Sequence, residues 1–456
     1  MFPPANSGLT MVSTLFITLT TAYITTPEQY GAVGDGKTND WVAIQHALAS
    51  CTNHHQSSAC RIDFTQTYLS GPIIINTSST TLNVTGSLLM LPKKHYPMNP
   101  KQRLPFISNV GSIHDVRLTG SGTIGNHVLP LAWWACKITG CWRPHLIVFS
   151  SVTGVRIDNL HFRNPPNHFI EMNSCTYVRV NNIDSRAPHQ SPNTDGINFY
   201  GGFDQSLTNS YISNGDDCVS VVPIGEFSLP CIDTLDPSSE ACRGGNVVVN
   251  NVTCIGGHGI AIGGVRHGTV SNVTFSNMTA TGGVGNTQGR ICCFLLLVFV
   301  GLLVVVCCPI QPLIVFKIFS FLSCLPGLYS PGGIRIKSYP NSTGSVYDIR
   351  YKDIILDDVF TPLSVLTRYC PWPCNTPDGD QACQFHDISF DNIVGHGRLD
   401  VQGFFNCSQL KPCYNISLNN VHLFKKIGTS STFQCSHVKL VLNNTSPSFC
   451  SNISSV

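Results

Sequence analysis

Three short motifs in the middle of the chain bring together side chains that can exchange protons. Asp195 lies in an Asn-Thr-Asp-Gly run, Asp216 and Asp217 end a Gly-Asp-Asp run, and His258 lies between two glycines. Asp216 follows Asp195 by 21 residues, and His258 follows Asp217 by 41. Carboxylates that lie close together repel, so at least one should have a raised pKa and keep its proton. A protonated acid beside ionised carboxylates is what hydrolysis of a glycosidic bond requires.

Two basic residues further along the chain could bind an anionic sugar. Arg335 and Lys337 alternate with Ile336, so on a strand both cationic side chains would face the same way. Such a pair offers a binding site for a carboxylate. A sugar that carries a carboxylate and is cleaved by paired acids is a uronic acid, so the motifs together point to a uronic acid polymer as substrate.

The elements that would position these motifs are short strands in a repeating array. Alternation of apolar and polar residues is typical of a strand with one face in the core. A repeat of about 21–28 residues is typical of a solenoid. The repeats are not separated by stretches of helical periodicity, which leaves a parallel β-helix, whose successive coils stack about 4.8 Å apart. Each repeat ends in Asn or Asp, in order Asn159, Asn182, Asn251, Asn272, Asp353, Asn392 and Asn420.

An Asn at a fixed place in each coil suits a tight bend between strands. Asn tolerates left-handed backbone geometry, and stacked Asn side chains can hydrogen-bond to one another. We expect one short helix, beginning at Trp41 with Asn39 or Asp40 as its N-cap, to plug the N-terminal end of the solenoid. The cysteine-rich stretch 370–450 would close the other end. A pair of β-sandwiches is the alternative fold, although its turns would be less regular.

Composition excludes several classes of protein. The chain has 456 residues, of which 42% are hydrophobic and 11% charged, and its net charge is +2. So few charges exclude a charge-rich disordered protein and a coiled coil. The balance of charge leaves no basic field to hold nucleic acid or an anionic membrane surface. We therefore expect no nucleic acid partner, and an anionic substrate must be bound by a few placed cations.

Cysteines and glycosylation sequons favour secretion. None of the 21 cysteines forms a pair of CxxC motifs, so disulfides in an oxidising compartment are a better interpretation than a zinc site. Asn-x-Ser/Thr sequons are frequent along the chain. Residues 1–26 resemble a weak signal peptide, because 11–24 is apolar but no Lys or Arg precedes Lys37.

Residues 289–331 do not share the strand pattern. The run 291–308 has no charged side chain and is long enough to span a membrane, yet its flanks lack positive charge. Without its five cysteines, 16 remain, an even number suited to pairing. A retained intron is the favoured explanation, because the codons of Gly289 and of Pro331-Gly332 permit splice sites in one phase. A membrane segment and a buried insertion are the alternatives.

This segment would interrupt an otherwise continuous domain. We interpret residues 27–456 as a single β-helix catalytic domain, broken by 289–331. If the segment is translated, it should push Arg335 and Lys337 out of register or unfold their coil. A membrane association is expected only in that case.

The four motifs in this order resemble those of the polygalacturonases of glycoside hydrolase family 28. The resemblance covers about residues 28–450, apart from 289–331. It implies a right-handed parallel β-helix and an inverting hydrolysis of α-1,4-galacturonosyl bonds in pectin. It also implies an extracellular, cell-wall location, a monomer, and no metal or other cofactor.

The resemblance also implies a role for each motif residue. Asp216 would be the general acid that protonates the leaving oxygen, and Asp195 and Asp217 would activate the attacking water. His258 would support the protonation of the acid or hold the substrate. The residues expected to bind substrate are Asn193, Arg335, Lys337 and, by a weaker match, Tyr369. A disulfide between Cys218 and Cys254 would brace the catalytic loop.

Other functions remain open at this point. The chain could be a catalytically inactive β-helix that binds cell-wall polysaccharide, or a membrane-anchored relative. A calcium-dependent lyase is disfavoured because the acids are clustered rather than dispersed. The motifs do not decide between endo and exo cleavage. Rhamnogalacturonan and xylogalacturonan stay open as substrates, although by resemblance His258 with Arg335 and Lys337 favours plain homogalacturonan.

Overall fold

Strands make up most of the molecule in a computed structural model. It describes residues 22–53, 59–97, 103–224, 243–282, 332–370, 381–428, 431–448 and 450. The helices are a 3-10 turn at Pro27–Tyr30, α1 (Trp41–Asn53), α2 (Leu131–Trp134) and α3 (Cys136–Thr139). The strands are β1 (Tyr23–Thr25), β2 (Asp35–Asn39), β3 (Cys60–Phe64), β4 (Thr67–Ser70), β5 (Ile73–Ile75), β6 (Thr80–Val84), β7 (Ser87–Met90), β8 (Ile107–Asn109), β9 (His114–Gly120), β10 (Thr123–Gly125), β11 (Ile147–Ser150), β12 (Thr153–Asp158), β13 (His161–Arg163), β14 (Ile170–Asn173), β15 (Thr176–Asn181), β16 (Asp184–Arg186), β17 (Ile197–Tyr200), β18 (Phe203–Asn214), β19 (Asp217–Val222), β20 (Arg243–Gly256), β21 (Gly259–Val265), β22 (Thr269–Thr281), β23 (Gly332–Ser338), β24 (Ser345–Val359), β25 (Thr361–Leu366), β26 (Gln384–Gly397), β27 (Val401–Asn406), β28 (Cys413–Lys425), β29 (Thr432–Ser436) and β30 (Val438–Ser446).

The strands form two long sheets in which the described ladders are parallel. A large sheet has 19 strands and a small sheet has 11. From β17 onwards the chain alternates between them, so that β17, β19, β21, β23 and β25 are neighbours in the small sheet while β18, β20, β22, β24 and β26 are neighbours in the large one. This winding is a right-handed parallel β-helix, as predicted. The β-sandwich alternative is wrong, because sandwiches are built from antiparallel strands.

The predicted Asn positions are the corners of the coil. Asn159 separates β12 from β13 with φ of 61°. In β18 the corresponding corner is Asn209, with φ of 52° inside one continuous strand. The side chains also stack as expected: Nδ2 of Asn182 donates to Oδ1 of Asn159 at 2.8 Å, and Nδ2 of Asn251 donates to Oδ1 of Asn209 at 2.8 Å. The large sheet therefore turns through two faces at a column of Asn and Asp residues.

The inside of the coil is one continuous apolar core. It is filled by the inward side chains of both sheets. Alternate residues are buried in large-sheet strands such as β15, whereas β19, β21 and β23 of the small sheet are buried at every residue. Three successive coils place Phe275, Tyr351 and Phe390 in a stack, with centroid separations of 4.9 and 5.2 Å. Each such aromatic pair contributes about 0.5–1.5 kcal/mol beyond its buried area.

The N-terminal helix begins where the sequence predicts. Helix α1 packs against β3, β4 and β5 of the first coils. The carbonyl of Asp40 accepts the first helical bond from the Ile44 amide at 3.0 Å, and Oδ1 of Asn39 accepts from the Trp41 amide at 3.1 Å. Both expected cap residues thus contribute to the helix start.

Five disulfides join pairs of described cysteines, including the expected Cys218–Cys254 bond. The other four are Cys51–Cys60, Cys136–Cys141, Cys407–Cys413 and Cys435–Cys450. Complete pairing of the 16 cysteines is nevertheless wrong, because Cys175 and Cys383 are free and buried. In the core a thiol packs as a small apolar side chain.

The expected displacement of Arg335 and Lys337 by the hydrophobic segment is also wrong. Strand β22 ends at Thr281, and β23 begins at Gly332 with Arg335 paired to Ala261 on one side and Ser364 on the other. The segment enters where the chain passes from one sheet to the other, and extra chain between elements leaves their ladders intact. Residues 289–331, and the first 21 residues of the signal-like segment, lie outside the described residues. In the part of the chain that the structure describes, no helix is long and apolar enough to cross a membrane.

Candidate active site

The small sheet holds the predicted residues on the face that points away from the core. Its ladder aligns Asn198, Ser220, Ala261 and Arg335 across β17, β19, β21 and β23. Asp195 lies two residues before β17, Asp217 is the first residue of β19, and His258 directly precedes β21. Neighbouring strands lie about 4.8 Å apart, so the predicted spacing of one coil per motif brings these side chains together.

A buried amide joins the loops that carry the carboxylates. Nδ2 of Asn214 donates to the carbonyls of Thr194 at 3.0 Å and Asp217 at 2.9 Å. Glycine is required where the next coil comes close. Gly259 has φ of +83°, and a Cβ there would lie 2.0 Å from the Gly333 carbonyl oxygen. The glycines of the motifs thus allow the coils to approach closely enough for their acids to interact.

Asp216 is held from two sides. Its Oδ1 lies 2.8 Å from Nδ1 of His258, and its Oδ2 accepts from Nδ2 of Asn193 at 3.1 Å. The Asn193 amide is oriented in turn by Arg143, which donates to its Oδ1 at 2.7 Å. The His258 amide also donates to the Asp216 carbonyl at 2.8 Å. Asp216 and His258 therefore form a hydrogen-bonded pair that can share one proton.

Asp217 faces the two predicted cations. Nζ of Lys337 lies 2.8 Å from its Oδ2, and a terminal nitrogen of Arg335 lies 3.9 Å from its Oδ1. Both cations are buried, with 3% of Arg335 and 8% of Lys337 exposed. The Tyr369 ring lies beneath them, 5.2 Å from the Arg335 guanidinium and 5.5 Å from Nζ of Lys337. The weakest of the sequence matches thus lies against two of the other residues that were predicted to bind substrate.

Asp195 has an amide and a histidine as its side-chain partners, and Arg143 acts on it electrostatically. Its Oδ2 accepts from Nδ2 of Asn198 at 3.2 Å, and its Oδ1 lies 3.3 Å from Nε2 of His168. Oδ1 of Asp195 and Oδ1 of Asp217 are buried and take no hydrogen bond of good geometry from any described residue. Both oxygens are therefore free to accept a proton.

The environments of Asp195 and Asp216 move their pKa values apart. Burial, with the charges of Asp216 and Asp217 and against the effect of His168, raises the pKa of Asp195 to about 7. Burial would also raise the pKa of Asp216, but His258 and Lys337 outweigh it and hold that pKa below its usual range. One carboxyl with a raised pKa was predicted, and it is Asp195. Without substrate, Asp216 is ionised. A general acid must carry a proton when it reacts, so Asp216 can have its expected role only if it is protonated after substrate binds.

A sequence model of glycosyl hydrolases family 28 matches residues 51–287 and 329–450. The chain belongs to this family. The gap between the two matched stretches coincides with nearly all of the hydrophobic segment 289–331, which supports its interpretation as an insertion into the family's sequence. Membership makes the chain a glycosyl hydrolase by family.

Relatives and solved structures agree. Polygalacturonase-2 of Solanum lycopersicum is 25% identical over 425 residues, covering 90% of this chain and 77% of that protein. Polygalacturonase QRT2 of Arabidopsis thaliana is 26% identical over 350 residues, covering 74% of this chain and 64% of that protein. A hyperthermoactive exopolygalacturonase from Thermotoga maritima has a TM-score of 0.65 at 15% identity, over 92% of this chain and 91% of its own. The structural likeness confirms the fold.

Sequence reasoning missed several residues of this family 28 site. Arg143 orients Asn193, and Asn198 and His168 contact Asp195. One signal was available for His168. The ladder pairs Ile170 with Ile197, so His168 occupies the position of Asp195 one coil earlier. Arg143 comes from a loop, where a strand repeat gives no guide.

Two clusters have the spacing, though not the charge, of a metal site. Asp216, Asp217 and His258 bring ligand-type atoms within 4.8 Å of one another, as do His145, His168 and Glu171. In the first cluster Lys337 pairs with Asp217, and in the second His168 pairs with Glu171. Because the carboxylates are already paired with side-chain cations, we assign neither cluster to a metal.

A second concavity lies away from these acids. A groove of about 810 Å³ on the large sheet is lined by the Asn column and by Asp184, Arg186 and Tyr211. Arg186 lies over the Tyr211 ring and is paired with Asp184. The groove contains no unpaired cation or acid pair suited to cleaving a glycosidic bond, so its size does not make it the active site.

Proposed function

We propose that this chain is a secreted polygalacturonase that hydrolyses α-1,4-galacturonosyl bonds of pectin with inversion at the anomeric carbon. The observation that carries the proposal is the Asp216–His258 pair, 2.8 Å apart, beside a carboxylate that faces the buried Arg335 and Lys337. Acid–base groups and a buried site for a sugar carboxylate therefore share one cleft.

The choice of a galacturonate substrate rests on an unsatisfied donor. Nε of Arg335 is buried and has no hydrogen-bond partner among the described residues. A buried charged donor without a partner is costly, and a uronate carboxylate would supply one. The Tyr369 ring below the cations holds them in place by cation–π contacts.

The reaction moves two protons. As the bond from C1 to the leaving oxygen breaks, Asp216 gives its proton to that oxygen. A water attacks C1 from the opposite face and loses its proton to Asp195 or Asp217, whose Oδ1 atoms take no hydrogen bond of good geometry from the described residues. Inversion leaves a new reducing end of opposite anomeric configuration, and proton exchange with solvent restores the acids.

Substrate binding would prepare Asp216 for its role. His258 and Lys337 hold the pKa of Asp216 low in the free protein. A substrate carboxylate on Arg335 and Lys337 compensates part of that positive charge, so the pKa of Asp216 rises. The proton then passes from His258 to Asp216 along their 2.8 Å contact.

The roles can be separated with two substrates and two variants. Asp216→Asn should lower kcat on polygalacturonate by at least about 100-fold, as expected when general acid catalysis is removed. The kcat of the same variant should fall much less on an aryl galacturonide, because an aryl leaving group departs without being protonated. Asp195→Asn, a matched change on the next coil, should impair both substrates alike. Equal losses for both variants on both substrates would contradict this assignment, and full activity of Asp216→Asn would overturn the proposal.

Secretion is proposed on separate grounds. The five disulfides among described cysteines indicate an oxidising compartment. Expression in plant cells should place the protein in the medium or wall fraction with endoglycosidase-sensitive mass. Retention in a membrane fraction would instead favour the anchored alternative.

A further inference from the structure

Glu171, His168 and Asp195 form a row of ionisable side chains in which each contacts the next. Glu171 of β14 places Oε1 2.7 Å from Nδ1 of His168, and Nε2 of His168 lies 3.3 Å from Oδ1 of Asp195. Exposed fractions of these side chains are 12% for Glu171, 16% for His168 and 12% for Asp195. The contact with Asp195 is at ion-pair distance without good hydrogen-bond geometry, and a histidine that faces two carboxylates through both ring nitrogens carries a proton on each of them only as the imidazolium.

The surroundings favour this protonated form. Burial alone would lower the pKa of His168, but Asp195 and Glu171 outweigh it and raise that pKa to about 9. The same contacts lower the pKa of Glu171 against the effect of its burial. The Asn198 amide lies 3.0 Å from Nδ1 of His168 and 3.2 Å from Oδ2 of Asp195. If Nδ1 of His168 donates to Glu171, it cannot accept from Nδ2 of Asn198, and this amide then donates to Asp195.

The other groups around His168 do not replace its charge. The His145 ring packs edge-on against it at 4.5 Å, but burial and the nearby imidazolium lower the pKa of His145 to about 3. Arg143 interacts electrostatically with Asp195 while its hydrogen bonds go to the carbonyls of Pro166 and Pro192 and to Asn193. Asp216 and Asp217 both oppose ionisation of Asp195.

We propose that His168, fixed by Glu171, is a positioning residue that favours the ionised form of the Asp195 carboxylate and orients it to accept the proton of the attacking water. This inference deepens the proposed function and rests on it for the role of Asp195. In the step itself, the water proton moves to Asp195, while His168 keeps both of its protons and no bond to it is made or broken.

The test measures the ionisation of Asp195 directly in the full-length chain. Carboxyl ¹³C NMR titration, with the signal assigned from Asp195→Asn, gives its midpoint in wild type and variants. In His168→Gln the midpoint should rise by about 1 pH unit or more, since an opposite charge at this distance is worth 1–3 units. Glu171→Gln should shift it in the same direction by less. His145→Gln, which changes a neutral neighbour of His168 and Glu171 without removing either charge, should move it less than either of these variants.

Activity gives the second measurement. The acidic limb of kcat for polygalacturonate hydrolysis should move to higher pH in His168→Gln, and His168→Lys should restore part of it. A purely structural role would lower melting temperature and activity at every pH without moving the limb. An unmoved NMR midpoint in folded His168→Gln and Glu171→Gln overturns the inference. If the wild type hydrolyses no galacturonan, the proposed function fails, and the NMR titration still tests the ionisation of Asp195.

Discussion

At the scale of single residues, neighbouring acids of the site have different pKa values because their surroundings differ. Lys337 and His258 lie against Asp217 and Asp216, whereas Asp195 has an amide and the more distant His168. Burial and the charges of Asp216 and Asp217 raise the pKa of Asp195 to about 7 against the effect of His168, whereas His258 and Lys337 lower the pKa of Asp216. The site thus contains one carboxyl that changes its protonation near neutral pH and a neighbouring one that stays ionised to much lower pH.

This difference predicts how Asp195→Asn affects stability. The pKa of Asp195 is about 7 in the folded protein and about 3.9 when unfolded. Its stabilising contribution is therefore complete below the unfolded value and is lost as pH rises through the folded value. We compare the free energy of unfolding of Asp195→Asn with that of wild type at two pH values. The difference, variant minus wild type, should be about 2–4 kcal/mol larger at pH 7.5 than at pH 4. Denaturant unfolding measures this, and a difference independent of pH would contradict it.

The residues of the site were predictable where their motif carries the chemistry. Residue type and spacing were enough to predict Asp195, Asp216, Asp217 and His258, and the structure places them on neighbouring coils. His168 does not, because its role depends on the ladder register that aligns β14 with β17. Arg143 depends on the path of a loop, which no repeat encodes.

At the scale of elements, the corners of the coil fix the register that assembles the site. Asn182 has φ of 53°, and its Nδ2 donates to Oδ1 of Asn159 on the preceding coil. Its side chain is exposed, so burial contributes little there. The period and the Asn of each repeat predicted these corners, whereas the merging of two strands into the long β18 was not predicted. That merging requires the backbone to hydrogen-bond continuously through a left-handed residue.

Substitutions at Asn182 should separate the two contributions of a corner residue. Asn182→Ala loses the ladder bond and keeps a Cβ in left-handed geometry without the polar side chain that lets Asn tolerate it, which costs about 1–2 kcal/mol relative to Gly. Asn182→Gly loses the same bond at no steric cost. We expect Ala to lower the free energy of unfolding by about 1–2 kcal/mol more than Gly does. If Gly is the more destabilising, the corner is not limited by backbone geometry.

At the scale of the whole molecule, the fold tolerates an insertion beside its active site. The family's sequence model resumes at residue 329, and β23 resumes the ladder at Gly332. Repeat folds add stability coil by coil through neighbouring contacts, so the ladder on either side of a corner survives extra chain. The sequence predicted the segment as foreign but overestimated its effect on Arg335 and Lys337.

Removing residues 289–331 should therefore leave the site intact. The shortened chain joins Gln288 to Gly332, and we expect it to keep the pH profile and KM for polygalacturonate. Each halving of a connection's length lowers the entropic cost of closing the loop by only about 0.6 kcal/mol. The melting temperature should therefore rise slightly. Loss of folding on deletion would show instead that the segment is an integral part of the domain.

The central claim is that this cleft cleaves galacturonan by acid–base hydrolysis with inversion. Proton NMR of α-1,4-linked oligogalacturonate mixed with the full-length protein, in buffer containing EDTA, follows the anomeric signal of each new reducing end. We predict that the β anomer appears first and then equilibrates, and that Asp216→Asn produces almost none. Initial release of the α anomer, or no new reducing ends from a folded protein, would contradict the account.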